Sequence, residues 1–216
     1  MLFRNEIQKG YSKYNCKAVN AEVFEKVVIE GAKFKISAFD VKEVGRVATI
    51  EMKRLIGFWE MQSLIITPYE KDMPIYYYNR HREKGNYIYR IEVFDTQLNE
   101  ITVSELSDVE KKYEALPDEE QNERWYEEIK LYGAVKKVEK SKKEELSPLI
   151  LEHFQTYMTM LENAKKCKAL QKKKRVTSFV DNLCEKSGMA IIEIFLANYG
   201  PKVTEKLANK VLFGLK

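Results

Sequence analysis

The chain has 216 residues, 44% hydrophobic and 32% charged, with a formal net charge of +4. That length suits one large domain or two small ones, and that apolar content excludes wholesale disorder. No run of eighteen apolar residues exists, which excludes a spanning helix, and the opening MLFRNEIQKGYSK lacks the apolar stretch of a secretory leader.

Cys16, Cys167 and Cys184 are odd in number and form no CxxC pair, so free thiols and a cytoplasmic setting are expected. Charge is unevenly spread. Ile101 to Lys130 holds ten acidic and four basic side chains, whereas KKCKALQKKKR at 165–175 holds seven basic and no acidic ones. The basic run reads either as a solvated helix surface or as a patch for an anionic partner.

In chain order, a short helix is expected around Ala21 to Val28, with a turn at Gly31. Strands follow. In AKFKISAFDV, Phe34, Ile36 and Ala38 share a face. VATIEM gives a second strand over Val47 to Met52. WEMQSLIITP gives a third, with Trp59, Met61 and Ile65 on one side. YIYRIEVFD alternates most clearly, with Tyr87, Tyr89, Ile91 and Val93 against Ile88, Arg90, Glu92 and Phe94. Short connections between the first three favour antiparallel neighbours. Beyond Asp95, ITVSELSDVEKKYEAL reads as partly helical. Pro117 and Gly133 bracket an expected helix in PDEEQNERWYEEIKLYG, and KKVEKSKKEE reads as exposed linker.

Ser147 and Pro148 then suit the start of a long helix striped by Ile150, Phe154, Tyr157, Met158 and Leu161. A further helix is expected in VTSFVDNLCEKSG. MAIIEIFLANYG reads as a buried helix or a strand, and Pro201 opens a last helix with Val203, Leu207 and Val211 at four-residue spacing. Sheet first and helices second predict an α/β/α sandwich: a central, largely antiparallel sheet covered by helices, in one domain over 1–216.

Familiar catalytic patterns are absent. There is no GxGxxG, phosphate loop, HExxH or GxSxG, and two histidines cannot build a three-His zinc centre, so no metal site is expected. His153 falls in a helical stripe and reads as packed. His81 falls where a loop is expected, either as plain surface or as a ligand or proton-transfer group. In MPIYYYNRH, Tyr76 and Tyr78 point opposite to Tyr77 if the segment is extended, so one side packs while the other lines a pocket or surface. Arg90 and Glu92 share the less apolar face of their strand, as an ordinary ion pair or as part of a pocket for a carboxylated ligand.

The segment IIEIFLANYGPKVTEKLANKVLFGL resembles the C-terminal region of ferredoxin-dependent bilin reductases, and MPIYYYN resembles the family segment in which a proline precedes a catalytic aspartate by five residues. Counting from Pro74 reaches Asn79. The resemblance implies a linear tetrapyrrole held between the sheet and the C-terminal helices. It implies electrons delivered one at a time by external ferredoxin, protons from side chains, and no bound flavin or nicotinamide. It makes Asn79 and the nearby His81 the candidate catalytic residues; Tyr76 and Tyr78, from the aromatic segment itself, and Arg90 are the ligand-binding candidates. Arg90 is our own addition, as a bidentate partner for a propionate. Asn79 departs from the family pattern, because an amide hydrogen-bonds but does not act as an acid. Two other readings stand beside this one: a non-enzymatic binding or interaction protein on the same fold, and a nucleic-acid-associated protein using the basic run, which the sequence favours least.

Overall fold

The computed structural model describes residues 15–54, 59–120 and 123–215. The opening segment, on which the expectation about a leader rests, lies outside them. Among the described residues, eight strands form one antiparallel sheet: β1 (Cys16–Val19), β2 (Lys26–Ile29), β3 (Ala32–Val41), β4 (Gly45–Arg54), β5 (Trp59–Pro68), β6 (Ile75–Glu83), β7 (Asn86–Phe94) and β8 (Lys130–Glu139). From β3 to β8 each strand pairs with its predecessor, and β1 and β2 both line the outer edge of β3.

Alternation along these strands builds two cores, because successive side chains leave opposite faces of a sheet. One face carries Ile36, Ile50, Ile65, Tyr77 and Phe94, covered by α3 (Ala169–Lys186) and α4 (Ala190–Lys206). The other carries Val47, Leu64, Tyr76, Tyr78 and Ile91, covered by α1 (Ser104–Lys111) and α2 (Leu146–Asn163). Each fully buried aliphatic or aromatic side chain contributes about 1.5–3 kcal/mol to burial. The expected α/β/α sandwich is thus the observed architecture.

Several local expectations change. Ala21 to Val28 forms a 3-10 turn at Glu22–Phe24 and then β2, whose pairing with β3 outweighs local helix preference. His81 lies in β6, not in a loop, because β5 and β7 hydrogen-bond it from both sides. The expected helix ending at Gly133 is a 3-10 turn, Glu127–Ile129, that enters β8. The first four residues of the expected linker KKVEKSKKEE also belong to β8. There Lys136 is buried despite its charge, since Asp118 accepts from its Nζ at 2.6 Å. The long helix α2 starts at Leu146, so Pro148 sits in its first turn, where an N–H has no intrahelical partner to lose.

MAIIEIFLANYG is helical. Gly200, at φ 75°, kinks α4 just before Pro201, which restarts the helix, and a π-helical turn follows at Leu207–Leu212. The end of the chain is clamped to the sheet. Buried Arg46 donates from Nη1 to the carbonyls of Lys210 (2.6 Å) and Val211 (2.8 Å), and the Tyr69 hydroxyl donates to the carbonyl of Phe213. Gly214 is required beneath that guanidinium: its φ is +68°, and a Cβ there would sit 2.9 Å from Arg46 Cζ.

Cys16, Cys167 and Cys184 are free thiols. Among the described residues no helix is long and apolar enough to cross a membrane.

Candidate functional site

The pairing of β5, β6 and β7 lays out three cross-strand rows on the face beneath α4. They read Met61–His81–Ile88, Ser63–Asn79–Arg90 and Ile65–Tyr77–Glu92. Above the first two rows lies a cavity of about 400 Å³. Tyr77, Asn79, His81 and Arg90 form its floor. Met52, Trp59, Met61 and Ile88 supply an apolar wall, and Gly188, Ala190, Glu193 and Ile194 at the start of α4 form the roof. A volume of that order with apolar walls and a few convergent polar groups is what small-ligand sites look like.

The floor is polar but internally organised. Asn79 is 3% exposed; its Nδ2 donates to Ser63 Oγ at 2.8 Å, and its Oδ1 lies 3.1 Å from His81 Nδ1. With the amide oriented to serve Ser63, its oxygen can only accept, so His81 carries its proton on Nδ1 and leaves Nε2 unprotonated. Burial and the Arg90 charge hold the His81 pKa below the usual histidine range, against a smaller opposing effect of Glu83. At neutral pH this ring is therefore an acceptor rather than an acid.

Beside it, Arg90 Nη1 lies 3.3 Å from Glu92 Oε1. Glu92 is 2% exposed, and its second oxygen accepts from the Tyr126 hydroxyl at a long 3.5 Å. Burial raises its carboxyl pKa above the usual range; the charges of Arg90, Lys130 and Arg124 oppose this without overcoming it.

Residues far away in sequence close the cavity. Arg124 Nη1 donates to Glu193 Oε1 at 2.9 Å and to the carbonyl of Gly188, and Trp125 Nε1 donates to the carbonyl of Ser187. This ties the segment before β8 to the corner between α3 and α4. Gly188 has no room for a side chain, since a Cβ would meet the Tyr126 ring at 2.7 Å. Tyr77 from the floor and Ala190 from the first turn of α4 both line the cavity. A second cavity of about 350 Å³ adjoins at the β8 edge, sharing Arg90, Glu119 and Arg124 and lined also by Glu92 and Gly133.

The structure brings together Asn79, His81 and Arg90. It does not bring Tyr76 and Tyr78 to them. Both are 0% exposed in the opposite core, where the Tyr76 and Tyr157 ring centroids lie 4.7 Å apart and those of Tyr78 and Tyr89 lie 5.6 Å apart. The reason is strand alternation: the tyrosine that reaches the cavity is Tyr77. Arg124, Glu193 and Gly188 carry no local signal that sequence reasoning could have used, whereas Glu92 was visible as the same-face neighbour of Arg90. His153 packs as expected. It lies against Tyr132 and Tyr89, and burial pushes its pKa down to about 4.

The basic run is partly structural. Lys172 is fully buried and donates to the carbonyls of Met73 (2.5 Å) and Thr96 (2.8 Å). The run also stands at the start of α3, about 27 Å of helix away from the Gly188 corner.

No family model and no curated protein sequence matches the chain. Among solved structures it is similar to phytochromobilin synthase from tomato in complex with biliverdin. The TM-score is 0.73 at 12% identity, over 99% of this chain and 82% of that one. At that identity the likeness is one of fold: the sheet with helices on both faces is the architecture of that synthase.

Proposed function

We propose that the cavity beneath α4 binds a linear tetrapyrrole. The observation that carries this reading is the cavity's place: a 400 Å³ hollow between the Asn79–His81–Arg90 face and the first turn of α4, in the fold of a protein crystallised with biliverdin. Its chemistry suits such a ligand. A conjugated, nearly planar molecule stacks on the Met52, Trp59, Met61 and Ile88 wall. Its carboxylates meet Arg90 and Arg124, whose forked donors match that group. Its lactam or pyrrole groups hydrogen-bond to Asn79 and to His81 Nε2.

Reduction of that ligand by electrons from ferredoxin is the further step of this reading, in a protein that acts as one domain and holds no cofactor of its own. Binding without reduction is the second reading. One specific observation favours it: Asn79 is an amide and its partner His81 is neutral, so neither supplies a proton at pH 7.

Adding biliverdin to the purified protein and recording its absorption tests the first step. A shifted, saturable spectrum is expected; an unchanged spectrum at micromolar protein would sink the reading. Adding reduced ferredoxin without oxygen then separates reduction, seen as loss of the bound-pigment band, from binding alone.

A further inference from the structure

We propose that Glu92 is the proton reservoir of this site: its carboxyl, set behind Tyr77 and against Arg90, supplies the proton that Asn79 cannot give to the bound ligand. The proposal rests on the tetrapyrrole reading above and adds to it the group that completes the chemistry.

Three features of the structure support it. Glu92 is on the same sheet face as Asn79, one row along, and it is the direct cross-strand partner of Tyr77, whose side chain is part of the cavity floor. Directly opposed residues on one face have Cβ atoms about 5 Å apart, within reach of a Glu carboxyl and a Tyr ring. Next, the cross-strand partner of Glu92 on its other side is Gly133. The Lys130 side chain lies over that glycine, and Glu92, 2% exposed, still lines the adjoining 350 Å³ cavity, its route for reprotonation from water. Finally, its two polar contacts are long, 3.3 Å to Arg90 and 3.5 Å to Tyr126, unlike the 2.7–2.9 Å of a committed charged pair.

The groups facing Glu92 fit a carboxyl that cycles between two states. Arg90 faces it from its own strand, Tyr77 from β6, and Glu127 and Lys130 from the entry to β8. Arg124 and Tyr126 face it from the segment before. Burial and Glu127 favour the neutral acid, while Arg90, Lys130 and Arg124 stabilise the carboxylate once the proton has gone.

The step balances simply. The Glu92 O–H bond breaks as its proton passes to the Tyr77 oxygen. The Tyr77 hydroxyl hydrogen moves on to a nitrogen or carbon of the ligand, and Glu92 is left as a carboxylate beside Arg90. No electron moves in this step. Where reduction follows, each electron comes from reduced ferredoxin.

The test is a pH titration, from pH 5 to 9, of the absorption of biliverdin bound to wild type, to Glu92→Gln and to Tyr77→Phe. Wild type is expected to bind and to show one protonation transition of the bound pigment. Glu92→Gln is expected to bind within about threefold of wild type, to lose that transition, and to slow any ferredoxin-driven turnover about 100-fold or more. A Glu92→Gln protein that binds and keeps the wild-type transition overturns the proposal while leaving the tetrapyrrole reading intact. Failure of wild type to bind biliverdin removes both. Should Glu92→Gln not fold, Tyr77→Phe decides: loss of the transition supports the relay, and retention overturns it.

Discussion

The two faces of β6 share one backbone and have opposite surroundings. Toward α2, Tyr76 and Tyr78 join Tyr89 and Tyr157 in a closed aromatic core with 0% exposure. Toward α4, Tyr77, Asn79 and His81 lie under a hollow, beside a guanidinium and a carboxyl. One face is filled and the other is left open, and the burial energy of the first offsets the packing that the second gives up. Substitutions on the closed face should therefore be read out as stability, and those on the open face as ligand chemistry.

The largest expected effect lies on the closed face. Tyr76→Ala should cost about 3–5 kcal/mol in urea unfolding, the range for deleting a large buried aromatic. Tyr76→Phe should cost under about 1 kcal/mol, because the buried hydroxyl has no hydrogen-bond partner among the described residues. A small loss for Tyr76→Ala would mean that the face is less tightly filled than its ring contacts indicate.

Next comes acid. His153 has a folded pKa of about 4, below the ordinary value of about 6.5, so the unfolded chain binds its proton first as pH falls. Its share of stability is complete above pH 6.5 and is lost as pH falls through 4, a swing of roughly 3 kcal/mol. Unfolding wild type and His153→Phe at pH 7 and at pH 4 should show a smaller acid loss in the variant. Equal losses would place the acid sensitivity elsewhere.

The smallest effect sharpens the open face. Asn79→Asp sets a carboxylate beside His81 Nδ1, and the His81 pKa should rise by about one unit or more. Proton NMR can follow it directly, since the chain has two histidines and His153 titrates near 4. An unmoved His81 would show that the 3.1 Å contact does not govern its protonation.

Much of the fold was legible because period-two patterns survive in β3, β4, β5 and β7. YIYRIEVFD maps onto β7 almost residue for residue. What failed was β8, where KLYGAVKKVE looks like a charged helix end or a linker. Its Lys136 makes sense only once Asp118 and Glu110 arrive from elsewhere to neutralise it. The site was half legible. Asn79, His81 and Arg90 fall on one face once β6 is recognised as a strand running through His81, but expecting a loop at His81 left open which face of the tyrosine run accompanies them. Arg124 and the Gly188 corner meet the cavity through contacts of 62 to 69 residues' separation, and no local pattern carries that.

The unbroken pairing of β6 with β5 and β7 has an evolutionary corollary. A single-residue insertion or deletion between Ile75 and Asn79 would exchange the two faces, sending tyrosines into the hollow and Asn79 into the aromatic core. Descent along this lineage can alter the chemistry of the chamber by point replacement at alternate positions, but hardly by a change of length in this strand.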